Sequence, residues 1–208
     1  MMGRPSRYGQ VARVYDVLSL EWPVYRVGRT VGVAALRLGP GDRVLDVGCG
    51  TGLNLPLLRA AVGDGGAVVG VDAAPAMVRQ AHSRIARAGW ANVGVWCGDA
   101  ADPPAGVAGR TFDAVLFTYA LSVIGDWRQA WERAYAMLRP GGRVAVVDLA
   151  LPTGRWRVMS PAARLACFAG GSDPRRHPWT LVADHAGEVS HRSLRGGHVR
   201  VVSGVRAA

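Results

Sequence analysis

The strongest constraint on the fold is an alternation of short apolar runs with longer segments of helical periodicity over residues 44–150. Such alternation predicts strands joined by crossover helices, because parallel neighbours cannot be linked by a tight turn. Crossovers of this kind are almost always right-handed, so the helices are expected on both faces of a mostly parallel sheet. The predicted strands are "RVLDVG", "AVVGVD", "NVGVWCG", "FDAVLFT" and "GGRVAVVDL", and the predicted helices cover residues 53–62, 75–88 and 126–138. Asp126 is the expected N-cap of the last helix, with Gln129 in the capping-box position.

The segments on either side of this core are predicted to add helices and a hairpin. "VARVYDVLSL" and "PVYRVGRTVGVAALRL" have apolar residues at helical spacing, which predicts two N-terminal helices. Residues 153–186 predict two more helices, and "EVSHRSL" with "HVRVVSG" predicts a closing antiparallel hairpin. We therefore expect one α/β domain over residues 1–208: an N-terminal helical cap (1–43), a core (44–150), and a helical cap segment with the hairpin (151–208).

A turn with glycine at every second position follows the first predicted strand. In "VLDVGCGTGLN", residues 44–54, these are Gly48, Gly50 and Gly52. Ligands of open parallel sheets lie beyond the carboxyl ends of the strands, where glycine lets the backbone approach closely and adopt positive φ. A dinucleotide fingerprint needs glycine or alanine where Leu53 stands, and a P-loop needs lysine, which the chain lacks. The turn therefore favours a nucleotide-like ligand without phosphates.

Four further motifs follow this turn in order. "VVGVD" ends in Asp72, "WCGDA" contains Asp99 and Ala100, and "FDAVLFTYAL" and "LRPGGRVAVVDL" form the fourth strand and the turn into the fifth. With "DVGCGTG", the series resembles the class I S-adenosylmethionine-dependent methyltransferases over about half of the chain. The resemblance implies a Rossmann-like doubly wound sheet and S-adenosyl-L-methionine as cofactor. It also implies that Asp72 binds the ribose hydroxyls and that Asp99 and Ala100 meet the adenine.

Within that family the chain resembles the ubiquinone and menaquinone C-methyltransferases and the soluble bacterial phosphatidylethanolamine N-methyltransferases. The segment "VARVYDVL" supplies the Ala12, Tyr15 and Asp16 of their opening motif, whereas Asp99 stands where the quinone enzymes favour asparagine. The resemblance implies methyl transfer to a small acceptor that is hydrophobic or of lipid or quinone type. The implied cofactor-binding residues are Tyr15, Asp46, Gly48, Cys49, Gly50, Asn54, Asp72, Ala73, Met77, Asp99, Ala100 and Thr118.

The catalytic residues are not identified by sequence. A sulfonium cofactor already carries an activated methyl group, so the protein chiefly has to align the acceptor and exclude water. A general base is needed only where the acceptor must lose a proton. No metal site is expected, because the three cysteines are too widely spaced for one. Candidate bases by expected position are Tyr119, His177, Asp126 and His185.

Positive charge is concentrated in the two flanks. The net charge is +10, yet residues 44–150 hold nine arginines and nine acids, so the whole excess lies outside the core. This excess fits either a negatively charged or membrane-surface partner or a solvated surface. Within the cap, "GGSDPRRHPW" could meet an acidic headgroup or simply face water. With no secretory pattern and no long uncharged stretch, we expect a cytoplasmic protein, with peripheral membrane contact as one interpretation of the flanks.

Two other functions are consistent with parts of the sequence. The net charge suggests a nucleic-acid methyltransferase, and "DPPA" at residues 102–105 partly matches the Asp-Pro-Pro-aromatic motif of adenine-amino methyltransferases. That segment follows the third strand instead of the fourth and lacks the aromatic residue, so no nucleic-acid partner is expected. A module that binds S-adenosylmethionine without turnover is the second alternative, and retained binding with no methyl transfer would favour it.

Overall fold

A computed structural model describes residues 25–169, 171–173 and 175–207 of the chain. Within these residues lie seven strands, six α-helices and two short 3₁₀ segments, Gly154–Met159 and Arg195–Gly197. The strands are β1 (Arg43–Val47), β2 (Ala67–Asp72), β3 (Val93–Cys97), β4 (Phe112–Thr118), β5 (Leu138–Leu149), β6 (Gly187–Leu194) and β7 (Val199–Val205). The helices are α1 (Arg26–Ala35), α2 (Leu55–Val62), α3 (Pro75–Ala88), α4 (Trp127–Ala136), α5 (Ser160–Ala169) and α6 (Thr180–His185).

All seven strands form one sheet in the order β3-β2-β1-β4-β5-β7-β6. Strands β1 to β5 are parallel, and β7 lies antiparallel between β5 and β6. The predicted mostly parallel sheet with an antiparallel C-terminal hairpin is thereby confirmed. The strand order reverses between β1 and β4, and a crevice for a ligand forms at such a switch point, beyond the carboxyl ends of the strands.

Helices cover both faces of the parallel part of this sheet, which explains why β1, β2, β4 and β5 are almost continuously apolar. On one face, Leu45 of β1 packs in a cluster with Trp131 of α4 and Val182 of α6. On the other face, Val44 packs with Leu58 of α2 and with residues of α1 and α3. In the described part of the chain no helix combines the length and apolarity required to cross a bilayer.

The predicted helix boundaries hold best where proline and glycine mark them. Helix α3 begins at Pro75 and ends before Gly89, which adopts the left-handed conformation with φ 66°. Helix α2 begins two residues later than predicted, because Asn54 occupies its N-cap position. The second N-terminal helix is observed as α1, whereas the first, with Tyr15, lies outside the described residues.

The predicted capping box at the start of α4 is not formed. Asp126 is the N-cap residue, but its side chain makes no capping hydrogen bond, so the pairing with Gln129 was wrong. The helix also ends at Ala136, two residues earlier than predicted, because Leu138 already begins β5 and pairs with Phe112 of β4.

Candidate functional site

The glycine turn lies at the carboxyl end of β1, beside the switch point of the sheet. The backbone N–H groups of Gly48 and Cys49 donate to the carbonyl oxygen of Val71, at 2.8 and 3.0 Å, which fixes the turn to β2. A Cβ atom on Gly48 would lie 2.5 Å from that of Ala120, so this position is closed by packing. At Gly50, with φ 56°, a Cβ atom would meet nothing within 4 Å. The turn is therefore open at Gly50, where a ligand can approach the backbone.

Asp72 ends β2 directly beside the open glycine. Its Oδ2 accepts a hydrogen bond from the Gly50 N–H at 2.8 Å, and its Oδ1 accepts one from the Ala74 N–H at 2.9 Å. Burial raises the pKa of Asp72, although these two backbone hydrogen bonds act in the opposite direction. A carboxylate has more than two acceptor sites, so Asp72 retains the capacity to bind a ligand hydroxyl while it holds the turn.

A buried polar cluster lies beneath the turn. Asn54 Nδ2 is 2.9 and 3.1 Å from the two carboxylate oxygens of Asp46 and 3.1 Å from Thr118 Oγ1. Arg29 Nη1 of α1 donates to Asn54 Oδ1 at 3.2 Å. Burial raises the pKa of Asp46 to about 6, even though the Asn54 hydrogen bond and the Arg29 charge lower it. The cluster joins the ends of β1 and β4 to the starts of α1 and α2.

Asp99 and Ala100 lie just beyond the end of β3, which pairs with β2 as far as Asp72 and Cys97. The side chain of Asp99 is exposed, and its Oδ1 accepts the Ala101 N–H at 2.9 Å. Asp46, Asp72 and Asp99 are therefore at the ends of three adjacent strands. Of the remaining predicted cofactor residues, Cys49 is buried in the glycine turn, Ala73 is exposed directly after β2, and Met77 is buried in the first turn of α3.

Tyr119 follows β4 in a strained backbone conformation with φ 56°. Its hydroxyl donates to the carbonyl oxygen of Tyr25 at 3.0 Å, the two rings pack edge to face at 4.9 Å, and the Arg29 guanidinium lies 5.4 Å from the Tyr119 ring centre. Backbone strain of this kind is often concentrated at functional sites. These contacts indicate that Tyr119 holds the start of α1 against the carboxyl end of β4.

The other candidate bases are less well placed. His177 is exposed, with its ring 5.0 Å from that of Trp179, and Asp126 is exposed at the start of α4. His185 lies towards the opposite end of the sheet. It ends α6 just before Gly187, which pairs with Val205, and Val205 in turn pairs with Arg143, where the continuous ladder between β4 and β5 begins. His185 is therefore excluded as a base at the glycine turn.

A second buried carboxylate, Asp148 at the end of β5, was not among the predicted site residues. Ser122 donates to it through its backbone N–H at 3.0 Å and its hydroxyl at 2.6 Å, and the Leu149 N–H donates at 2.8 Å. Ser172 of the cap segment donates to the Ser122 hydroxyl at 2.7 Å. Burial raises the pKa of Asp148 to about 6. The sequence signal was a single acid inside an apolar strand, the same signal as at Asp46.

Residues 44–142 match a family model described as a methyltransferase domain. The chain is 31% identical over 154 residues to the aklanonic acid methyltransferase DauC of Streptomyces sp. (strain C5), which covers 74% of this chain and 68% of that protein. It is 34% identical over 148 residues to the 2-phytyl-1,4-naphtoquinone methyltransferase of Synechococcus elongatus, covering 70% and 63% respectively. A solved structure, a SAM dependent methyltransferase from Aquifex aeolicus, matches with a TM-score of 0.64 and 19% identity over 92% of this chain and 97% of that chain. Two other curated methyltransferases are longer, and the chain spans only 34% and 48% of their lengths.

Proposed function

Because the chain belongs to the class I S-adenosylmethionine-dependent methyltransferases, whose cofactor is S-adenosylmethionine, we propose that it transfers the methyl group of that cofactor to a small hydrophobic acceptor of lipid or quinone type. The observation that carries the proposal is the arrangement of Asp46, Asp72 and Asp99 at three adjacent strand ends, around a turn that is open at Gly50. In this arrangement Asp72 and Asp99 offer contacts to two separate polar parts of the cofactor, while the buried Asp46 holds the turn between them.

The residues of the site fit the cofactor by their chemistry. The Asp72 carboxylate can accept hydrogen bonds from ribose hydroxyls, and the exposed Asp99 carboxylate can accept one from the adenine amino group. The open side of Gly50 admits the methionine moiety close to the backbone. The Asp46 and Asn54 side chains lie beneath this turn and hold it in place.

Positioning is the main contribution of the protein to the reaction. When bound, the cofactor supplies a methyl group activated by a sulfonium, so transfer depends on alignment of the acceptor and exclusion of water. Arg29 and Asn54 link α1 and α2 to the end of β1, and Tyr119 braces α1 against the end of β4. These contacts keep the two sides of the crevice in one geometry.

The class of acceptor is supported by the relatives and by the apolar end of β5. The two relatives described above are named for aklanonic acid and 2-phytyl-1,4-naphtoquinone, which are small molecules. Near the site, Tyr25 of the α1 start packs in an apolar cluster with Val147, Leu149, Cys167 and Val199. These side chains are buried, so they make the protein behind this side of the crevice apolar, and we expect this to favour an apolar acceptor over a charged polymer.

Calorimetric titration with S-adenosylmethionine tests the cofactor site. We expect Asp72→Ala to weaken binding by about 1.5–3 kcal/mol, because hydrogen bonds to a charged group are lost. Asp113→Ala is the matched control, since Asp113 also accepts a backbone N–H, that of Arg43 at 2.7 Å, but at the amino end of the sheet. Equal affinities of the two variants would contradict the ribose role of Asp72.

The acceptor is tested with methyl-labelled cofactor and a cell extract, separated into organic, small-polar and nucleic-acid fractions. Label in the organic fraction supports the proposed acceptor class. Label in the polar or nucleic-acid fraction overturns that class and leaves the cofactor assignment intact. Cofactor binding without label in any fraction would indicate a binding module instead of an enzyme.

A further inference from the structure

Exposed apolar side chains are concentrated in one short segment that follows β5. Five large hydrophobic side chains are exposed in the described part of the chain, and four of them lie within ten residues. Monomeric proteins rarely leave a contiguous apolar patch in water unless it binds something. The four are Trp156 (49% exposed), Val158 (78%), Met159 (51%) and Leu165 (69%), and we call residues 154–165 the apolar-basic surface.

Positive charge is interspersed with these apolar side chains. Arg155, Arg157 and Arg164 are exposed, and the sequence has no acidic residue between Asp148 and Asp173. None of the ion pairs found among the described residues includes these three arginines. The surface therefore combines apolar side chains with uncompensated positive charge.

The inner side of this segment is anchored to the carboxyl end of the sheet. Cys167 of α5 is fully buried in a cluster with Leu149 of β5 and Val199 of β7. Trp156 packs on the hairpin turn, because a Cβ atom on Gly196 would lie 2.5 Å from its ring. The outer side remains in solvent although the segment itself is held in place, so the exposure is not that of a loose loop.

We propose that the apolar-basic surface docks on an anionic lipid bilayer. Apolar side chains of this kind enter the boundary between headgroups and acyl chains, while neighbouring arginines bind lipid phosphates. A second copy of the chain is disfavoured as the partner, since a two-fold interface would bring six like charges together. Nucleic acid would use the arginines but would leave Val158 and Leu165 in water.

Docking goes beyond the proposed function, because it requires neither cofactor nor acceptor. The delivery of an acceptor from the bilayer, by contrast, rests on the proposed function. Helix α5, which carries Leu165 of this surface, packs through Cys167 on the apolar cluster of Tyr25 and Leu149 at the end of β5, so a hydrophobic acceptor in the membrane would lie on the same side of the sheet as the crevice.

Co-sedimentation of the purified full chain with vesicles tests the docking without any turnover. We expect binding to vesicles that contain phosphatidylglycerol and much weaker binding to phosphatidylcholine alone. The triple variant Arg155→Gln, Arg157→Gln, Arg164→Gln should lower the partition coefficient about 100-fold, at about fivefold per arginine. The matched control replaces the exposed Arg79, Arg128 and Arg133 with glutamine; it removes the same charge from α3 and α4 and should change binding much less.

A second pair of variants separates insertion from simple charge attraction. Val158→Gln with Leu165→Gln should lower binding at least about tenfold, because these apolar groups would no longer enter the bilayer. Leu57→Gln, at an exposed position on α2, is the control and should bind like the wild type.

Three outcomes would overturn the docking proposal. The first is that the wild type binds neither kind of vesicle. The second is that the variants of the apolar-basic surface and the control variants lose vesicle binding equally. The third is a dimer in size-exclusion chromatography that only the variants of the apolar-basic surface dissociate. Calorimetry on the same samples measures whether they bind S-adenosylmethionine. Vesicle binding and cofactor binding are thereby measured independently, so the docking proposal can fail while the proposed function holds, and the reverse.

Discussion

Replacement of Gly50 by alanine separates the conformational role of the glycine turn from its role in binding. Gly50 has φ 56°, and Gly89, at the end of α3, has φ 66°; at both positions a Cβ atom would meet nothing within 4 Å. An L-residue in the left-handed region costs about 1–2 kcal/mol. For a domain of this size, 1 kcal/mol corresponds to about 2–4 °C, so both variants should melt about 2–8 °C below the wild type.

Only the Gly50 variant should also lose affinity for the cofactor. Its new methyl group would project into the open side of the turn, beside the Asp72 carboxylate that accepts the Gly50 N–H. We expect S-adenosylmethionine to bind at least about tenfold more weakly to Gly50→Ala, a loss of about 1.4 kcal/mol. Gly89→Ala should bind like the wild type, and the cofactor should raise its melting temperature by the same amount.

Calorimetry on the three proteins, with thermal melts in the presence and absence of cofactor, gives both quantities. Equal affinity of the two variants would refute the reasoning, because it would show that the open side of Gly50 does not face the ligand. A melting temperature of Gly50→Ala equal to that of the wild type would refute the strain argument separately.

Three further predictions concern buried contacts. Asn54→Leu removes the side-chain donor to buried Asp46 and should lower the free energy of unfolding by about 1–3 kcal/mol; an unchanged urea midpoint would contradict this. Burial raises the pKa of Asp148 from 3.8 to about 6, so the free energy of unfolding of the wild type should fall by about 2 kcal/mol relative to that of Asp148→Asn as the pH rises from about 4 to about 6. Urea titrations across that range measure the difference, and a constant difference would argue against the shift. Gly28→Ala would place a methyl group 2.0 Å from the Tyr119 hydroxyl, and we expect the free energy of unfolding to fall by about 1–3 kcal/mol in the same assay. A urea midpoint equal to that of the wild type would contradict this, because it would show that Tyr119 moves aside without cost.

Sequence patterns predicted the sheet because most of its parallel strands are buried on both faces and therefore appear as almost continuous apolar runs. The bounds of α3 were predictable because Pro75 and Gly89 act through their own backbone preferences. The capping box at α4 was not predicted correctly. Asp126 has a suitable side chain, but its backbone at φ −90° and ψ 54° does not bring that side chain to the helix N–H groups. Sequence signals therefore predict the end of a helix correctly where the backbone preference of the residue at that position determines the geometry.

The candidate site shows the same limit at longer range. Asp72 and Asp99 could be placed together because the ends of adjacent parallel strands meet at one edge. The contact of Arg29 with Asn54 joins residues 25 positions apart on different elements, and no periodicity encodes it. His185 was a candidate base by its expected position in the cap segment, but α6 carries the chain back towards the other end of the sheet.

The insertion of β7 between β5 and β6 also affects the order in which the protein can fold. Among the strands of the described residues, β6 pairs with β7 alone. Because β7 is synthesised after β6, β6 leaves the ribosome before this partner exists. Until β7 arrives, β5 presents an unpaired edge whose residues Val144, Ala145 and Val146 are fully buried in the finished sheet. Such an edge can pair with another nascent chain. Substitutions that slow the pairing of β7 are therefore expected to reduce the yield of folded protein more than substitutions in the exposed strand β6.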